Sequence, residues 1–293
     1  MAESPLVVGV DGSEFSLRAT DWAADEAARL GLPLRFVYAS RWERYEGAAL
    51  SVSPGRSDTQ VLGRNIVGTA EHRVHVRAPD VKVTTEVLPH DTVQALLEES
   101  RHATALVTGS RGRGEIVGLL VGSVSLALAA RAHCPVIVVR GDMEDGLGRT
   151  HRRVLLGVGR QDVNSAAVRF AFREAATRGA VLDAVRAWRQ PMHESRDLPL
   201  AAGDSARFHE YRAATLLDEA LAAGARAHPD VDVRHTTVEG PAAKILTDRS
   251  AAADLLIVGA RRRTGLIGMQ LGRVGHAVLH HATCPVAVVP QDT

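Results

Sequence analysis

The stretch LVVGVDGSEFSLRATDWAADEAARLG, residues 6–31, recurs as VLLGVGRQDVNSAAVRFAFREAATRG, residues 154–179. Both copies read alike: a short apolar, β-branched run, a polar turn, then an amphipathic helix that a glycine stops. A second pair extends the repeat. GSRGRGEIVGLLVGSVSLALAARAHCPVIVV, residues 109–139, aligns with GARRRTGLIGMQLGRVGHAVLHHATCPVAVV, residues 259–289. The offset grows from 148 in the first pair to 150 in the second, so the second copy gains two residues in between. The chain therefore reads as a tandem duplication. Its 293 residues, 45% of them apolar, suffice for two cores, with domains at 1–140 and 151–293. The polar, glycine-containing stretch 141–150 serves as the linker.

Within the first copy, short apolar runs alternate with helical patterns. Strands are predicted at 6–10, 34–39, 82–88, 105–109 and 135–139, and helices at 17–30, 59–77, 92–102 and 121–131, with a variable Ser/Gly-rich segment at 47–57. In the first helix Trp22, Ala23, Glu26 and Ala27 fall in one register. The order is βαβαβαβαβ. Mostly non-alternating apolar strands separated by helices predict a parallel sheet covered on both faces. The expected fold class is α/β: two doubly wound, mostly parallel five-stranded sheet domains.

Charge and cysteine usage narrow the function. Thirty-five Lys and Arg against 34 Asp and Glu leave a formal net charge of +1. That balance provides no field to draw the chain to nucleic acid or to a membrane surface, so neither is expected as a partner. Two cysteines cannot build a disulfide framework, the longest apolar runs are strand-sized, and no leader pattern opens the chain, so a cytoplasmic location is expected.

Open parallel sheets bind ligands beyond the carboxyl ends of their strands, where the strand order reverses. Three stretches of the first copy should meet there: Val10, Asp11, Gly12 and Ser13 after the first strand, Tyr38 and Ala39 at the end of the second, and residues 109–114 after the fourth. The last of these is the most informative. Gly109, Gly112, Gly114 and Gly118 precede a helix whose start is marked by Gly122, Ser123 and Val124. Bare backbone N–H groups and a helix N-terminus together favour an anion such as phosphate. Ser110 and Ser123 add hydroxyl donors, while Arg111 and Arg113 add charge. No GxxxxGK[ST] occurs, the first strand is followed by DGSEFS rather than GxGxxG, and tight packing alone would also explain Gly118 and Gly122.

The whole chain, apart from the linker and the variable segments, resembles a tandem universal stress protein of the actinobacterial type. The resemblance rests on VGVDGS at 8–13, on HCPVIVV at 133–139, and on G-x2-G-x9-G-[S/T], which Gly109, Gly112, Gly122 and Ser123 fit without a gap. It implies the adenine nucleotide α-hydrolase-like form of the fold and ATP, with Mg2+, as ligand. Asp11 and the backbone near Val10 and Ala39 would contact adenine and ribose, and Gly112, Gly122 and Ser123 would hold phosphates. It further implies a nucleotide-dependent regulator or sensor in the stress response, without rapid turnover, that works through a regulatory protein partner. The final strands, 135–139 and 285–289, would pair as antiparallel edges between domains or subunits, giving a homodimer. A nucleotide-independent interaction module and a slow ATPase or autophosphorylating protein remain alternatives at this level. No nucleophile elbow is present to support other chemistry.

The second copy departs from the pattern. Gly159 stands in place of Asp11, Arg262 in place of Gly112 and Arg273 in place of Ser123, whereas Gly259 and Gly272 are kept. This copy is expected to bind ATP weakly or not at all. Cys134 and Cys284, at equivalent positions, read as small core residues. His276 and His280, four apart on a helix, and His72 with His75 lack the companions of a metal site.

Overall fold

The computed structural model describes residues 4–40, 55–112, 120–140, 150–159, 165–190, 202–261 and 271–291. The chain separates into two units, Met1–Asp145 and Gly146–Thr293. In the first, β1 (Leu6–Gly9), α1 (Glu14–Leu30), β2 (Leu34–Ala39), α2 (Gly55–Arg77), β3 (Val83–Leu88), α3 (Thr92–Glu99), β4 (Ala105–Gly109), α4 (Ser123–Arg131) and β5 (Val136–Val139) follow one another. The strands lie in the order β3-β2-β1-β4-β5 and every neighbouring pair is parallel. Leu6, Val7 and Val8 are buried, as are Leu106, Val107, Ile137 and Val138, in keeping with strands covered on both faces.

Local chemistry sets the helix ends. Ser13, extended at φ −74 and ψ 158, caps α1 by accepting the Ser16 N–H at 3.2 Å. The helix therefore begins at Glu14, three residues before its predicted start at 17. Gly31 closes it in the left-handed region at φ 67. The buried stripe of α1 is made largely of Ala19, Ala23, Ala24 and Ala27, small enough to let the helix lie close on the sheet. Glu26 belongs to the same stripe; Arg29 reaches back one turn to pair with its carboxylate. α2 is tied to α1 by Arg77, which makes two bonds to Asp25 at 2.6 and 2.7 Å, and by a similar fork from Arg73 to Asp21. Carboxylate bonding raises the pKa of both guanidinium groups. α3 stops at Glu99 rather than at 102. α4 starts at Ser123, two residues after its predicted start, because Gly122 is extended at φ −72 and ψ 154. β5 begins at Val136, one residue after Pro135, which has no N–H to donate.

The second unit repeats the plan with β6 (Arg153–Gly157), α5 (Ala166–Arg178), β7 (Val181–Trp188), α6 (Ala202–Ala227), β8 (Val233–Glu239), α7 (Ala242–Ser250), β9 (Leu255–Arg261), α8 (Arg273–His281) and β10 (Val286–Gln291). Its order is β8-β7-β6-β9-β10, again all parallel. Details recur with the plan. Ser165 caps α5 as Ser13 caps α1, Gly179 stops it at φ 55, and the buried Glu174 pairs with Arg178 at 3.3 Å. Among the described residues no helix is long and apolar enough to cross a membrane.

Candidate functional site

In the first unit the strand order turns back at β1 and β4. These neighbours send their chains to opposite sides of the sheet, leaving a crevice beyond their carboxyl ends. Val10 continues β1 by donating its N–H to the Val37 carbonyl at 3.0 Å. The chain then turns through Asp11 and Gly12, whose φ of 78 favours glycine. Asp11 Oδ1 accepts the Ser13 N–H at 2.9 Å and the Ser13 hydroxyl at 2.6 Å. Behind this turn the buried Ser16 hydroxyl accepts the Gly12 N–H at 3.1 Å and donates to the Ser13 carbonyl at 2.9 Å. The carboxylate is thus held in one orientation by the first turn of α1.

Its other oxygen faces the loop after β4. A Cβ placed on Gly112 would lie 2.6 Å from Asp11 Oδ2, so two positions 101 residues apart in sequence meet in the crevice. Gly112 leaves the space that lets its backbone run beside the acid. Gly109 has another reason. A Cβ there would come within 2.6 Å of the Phe15 carbonyl carbon and oxygen, so this glycine allows β4 to end against α1. Ser110 is 3% exposed; its N–H donates to Val139 at 2.8 Å and its carbonyl accepts the Gly122 N–H at 2.7 Å. The loop is thereby fastened to both β5 and α4.

Among the described residues no heavy atom comes nearer than 3.6 Å to a Cβ built on Gly122, so the position has room for a side chain yet carries none. No side chain among the described residues caps α4, and Ser123 and Val124 open its first turn beside Ser110 and Arg111. The Arg111 guanidinium lies 5.3 Å from the Phe15 ring, and its Nε is buried with no hydrogen-bond partner among the described residues. An uncapped helix start and a buried N–H of a cationic group form a donor-rich surface suited to an anion. Ala39 stands one strand over, its carbonyl held by the Thr92 hydroxyl at 2.8 Å. Arg113, like Gly114 and Gly118, falls outside the described residues.

Four contributors escape a motif reading. Ser16 locks the Asp11 turn, Phe15 supports both Gly109 and Arg111, Thr92 fixes Ala39, and Ser125 donates to the Gly109 carbonyl at 2.8 Å while accepting from Thr108 at 3.3 Å. Only Ser16 left a trace in the sequence, as the second serine of an S-x-x-S helix start.

The second unit holds a cleft of about 540 Å³ at the corresponding edge. Val158 again bonds to the Val185 carbonyl, as Val10 does to Val37. In the place of Asp11 and Tyr38 stand Gly159 and Arg186. Arg186 is 6% exposed and donates to the Gly159 carbonyl. Gly259 faces the Gln291 amide, and at Gly272 no side chain among the described residues caps α8, whose first residue is Arg273. Arg262 lies outside the described residues.

The remaining candidates sit apart from these crevices. Cys134 and Cys284 are buried, and burial pushes the Cys134 thiol up to about 12, which keeps it protonated at neutral pH. The His276 and His280 rings lie 4.5 Å apart, and among the described residues no three potential metal ligands converge.

Comparison with known proteins matches this architecture. The model of the universal stress protein family fits residues 4–140 and again 150–290. A universal stress protein of Mycobacterium tuberculosis is 34% identical over 304 residues, covering 98% of this chain and 97% of the relative. A second one from the same organism is 31% identical over 291 residues, covering 98% and 96%. Among solved structures, a universal stress protein from Archaeoglobus fulgidus aligns over 98% of this chain and 99% of its own, with a TM-score of 0.66 at 18% identity. A functionally unknown protein from Pseudomonas aeruginosa aligns over 99% and 94%, with a TM-score of 0.57 at 14% identity. These two structures bear on the fold. The family match, present twice and spanning nearly the whole chain, makes this protein a member of the universal stress protein family.

Proposed function

We propose that the protein is a nucleotide-dependent regulator whose first unit binds ATP, accompanied by Mg2+, and whose output is a change in interaction rather than rapid turnover. The observation that carries this reading is the meeting of Asp11, Gly112 and the uncapped start of α4 at the point where the sheet order reverses. Phosphates fit the donor-rich end formed by Ser123, Val124 and Arg111, and an acceptor carboxylate at Asp11 fits sugar hydroxyls, which can donate to it. Mg2+ would be carried by the phosphates and water. Val10, Gly12, Ser13, Ala39, Gly109, Ser110 and Arg113 complete the proposed site as backbone or supporting contacts. The second unit would bind ATP weakly or not at all, and its role would be structural or regulatory.

The same reading places the protein in the cytoplasm as a homodimer that a regulatory protein partner recognises. The direct test is to denature the purified protein and identify and count what it releases. About one adenine nucleotide per chain is expected, with none from the chain carrying Gly112→Arg and Ser123→Arg. No nucleotide at purification, and no saturable binding of added Mg-ATP, would reject the reading. Sedimentation measures the homodimer separately.

A further inference from the structure

The two units share a plan, so apolar burial alone gives their equivalent helices little to tell one sheet from the other. The ion pair inside α1, Arg29 to Glu26, recurs inside α5 as Arg178 to Glu174 with the same sign. The pairs that hold α3 and α7 in place differ. In the first unit Arg35 on β2 makes a fork to Glu99 on α3, at 2.8 and 3.0 Å, and lies 3.5 Å from Glu86 on β3. In the second, the buried Asp183 on β7 accepts from Arg249 on α7 and Thr236 on β8, each at 3.3 Å.

These positions correspond. Leu34 and Leu182, which precede Arg35 and Asp183, lie opposite Val83 and Val233 in the strand registers. Ser100 and Ser250, which follow Glu99 and Arg249, accept the N–H groups of His133 and Thr283. The contact has thus changed sign between the copies. A second contact behaves in the same way. α1 presents Asp21 and Asp25 to Arg73 and Arg77 of α2. Counted back from Gly31 and Gly179, α5 carries Arg169 and Arg173 at those places, and α6 carries Ala223 and Ala227 where α2 has its arginines.

Exchange of equivalent elements would bring like charges together. α3 on the second unit would set Glu99 against Asp183, α7 on the first would set Arg249 against Arg35, and α2 on the second would set Arg73 and Arg77 against Arg169 and Arg173. Such contacts are unfavourable, most of all at a buried carboxylate. Misassembly of this kind is a characteristic failure of repeat proteins, and repulsion in the wrong pairing is a general source of specificity. The pairs concerned join residues 52 to 66 positions apart, whereas the same-sign pairs lie within one helix and cannot report which copy that helix has joined.

We propose that the reversed pairs are an assembly code that keeps α2 and α3 with the first unit and α7 with the second, within one chain and between chains. The inference is independent of nucleotide binding.

The test makes the two codes the same in the full chain. In one variant Arg35→Asp, Glu86→Thr and Glu99→Arg give the first unit the residues of the second. In another, Arg169→Asp, Arg173→Asp, Ala223→Arg and Ala227→Arg give the second unit those of the first. Each unit keeps pairs of opposite sign, so the urea midpoints should stay near that of the native chain. On refolding by dilution, the fraction regaining native sedimentation and protease resistance should nevertheless fall at least twofold. Ser165→Ala, which removes the α5 cap without touching the code, should lower the midpoint and leave that fraction unchanged. Native yield from a recoded chain of native midpoint would overturn the proposal, and so would a yield that simply follows the midpoint across all the variants. The second recoded chain, none of whose four positions is buried, decides the matter if the first does not fold.

Discussion

Replacing Gly112 by alanine adds a single methyl at the point where two distant segments meet. The added carbon would lie 2.6 Å from Asp11 Oδ2, so the two must part by about 1 Å to reach ordinary contact. Asp11 cannot yield freely, because its other oxygen holds the Ser13 N–H at 2.9 Å and hydroxyl at 2.6 Å. Either that pair of bonds is strained or the loop after β4 moves away from the acid. A hydrogen bond to a charged group contributes about 1.5–3 kcal/mol, so loss of one such bond in the nucleotide complex corresponds to roughly a 10- to 100-fold fall in ATP affinity. Calorimetric titration with Mg-ATP measures this, and a double-mutant cycle identifies the cause. If the methyl acts through the carboxylate, then in an Asp11→Ala background Gly112→Ala should cost less than about 0.5 kcal/mol more. The same loss in both backgrounds would refute the coupling between these residues, and undiminished affinity in the single variant would refute the placement of the site.

Gly109→Ala should destabilise the fold by about 1–3 kcal/mol in urea unfolding, because the neighbour it meets is the Phe15 backbone rather than a flexible side-chain tip. Ser13→Ala removes the cap of α1 and should cost about 1 kcal/mol, with a larger proportional effect on ATP binding because Asp11 loses the hydroxyl that orients it. The Cys134 thiol, raised to about 12 by burial, stays protonated in the native state at pH values where the unfolded chain ionises. The stability this represents is complete below the unfolded thiol pKa of about 8.5. It falls by up to about 1.4 kcal/mol per pH unit as pH rises towards 12. Urea midpoints of the native chain and Cys134→Ala should therefore diverge in slope above about pH 9, and identical slopes would count against a buried neutral thiol.

Much of the architecture was legible because it depends on patterns the chain carries twice. The internal repeat exposes two units, and apolar runs such as Leu6 to Gly9 and Val136 to Val139 announce strands buried on both faces. Element ends were less legible where capping outranks hydrophobic register: α1 starts at Glu14 because of the Ser13 hydroxyl, and α4 starts at Ser123 because Gly122 is extended. At the crevice, the glycine spacing drew attention to the loop after β4 but could not distinguish its glycines by purpose. Gly109 accommodates the backbone of Phe15, whereas Gly112 accommodates the carboxylate of Asp11, and only the fold brings either neighbour near. The Arg186 corner was invisible for a related reason. Its significance comes from lying beside Gly159, a contact across two strands that neither position suggests alone.

Among the helix starts with a described cap position, α1, α3 and α5 are closed by their own Ser13, Asp91 and Ser165, whereas α4, α7 and α8 have no side-chain cap among the described residues; α7 follows Pro241, and α4 and α8, which border the two crevices, begin at glycines that offer no side chain. At α4 the proposed nucleotide would supply the acceptor that the first turn lacks, so that occupancy and local order would rise together. The folded chain would then persist longer where that nucleotide is abundant and become more exposed to proteolysis as it runs low. Its lifetime, as well as its conformation, would register the nucleotide supply.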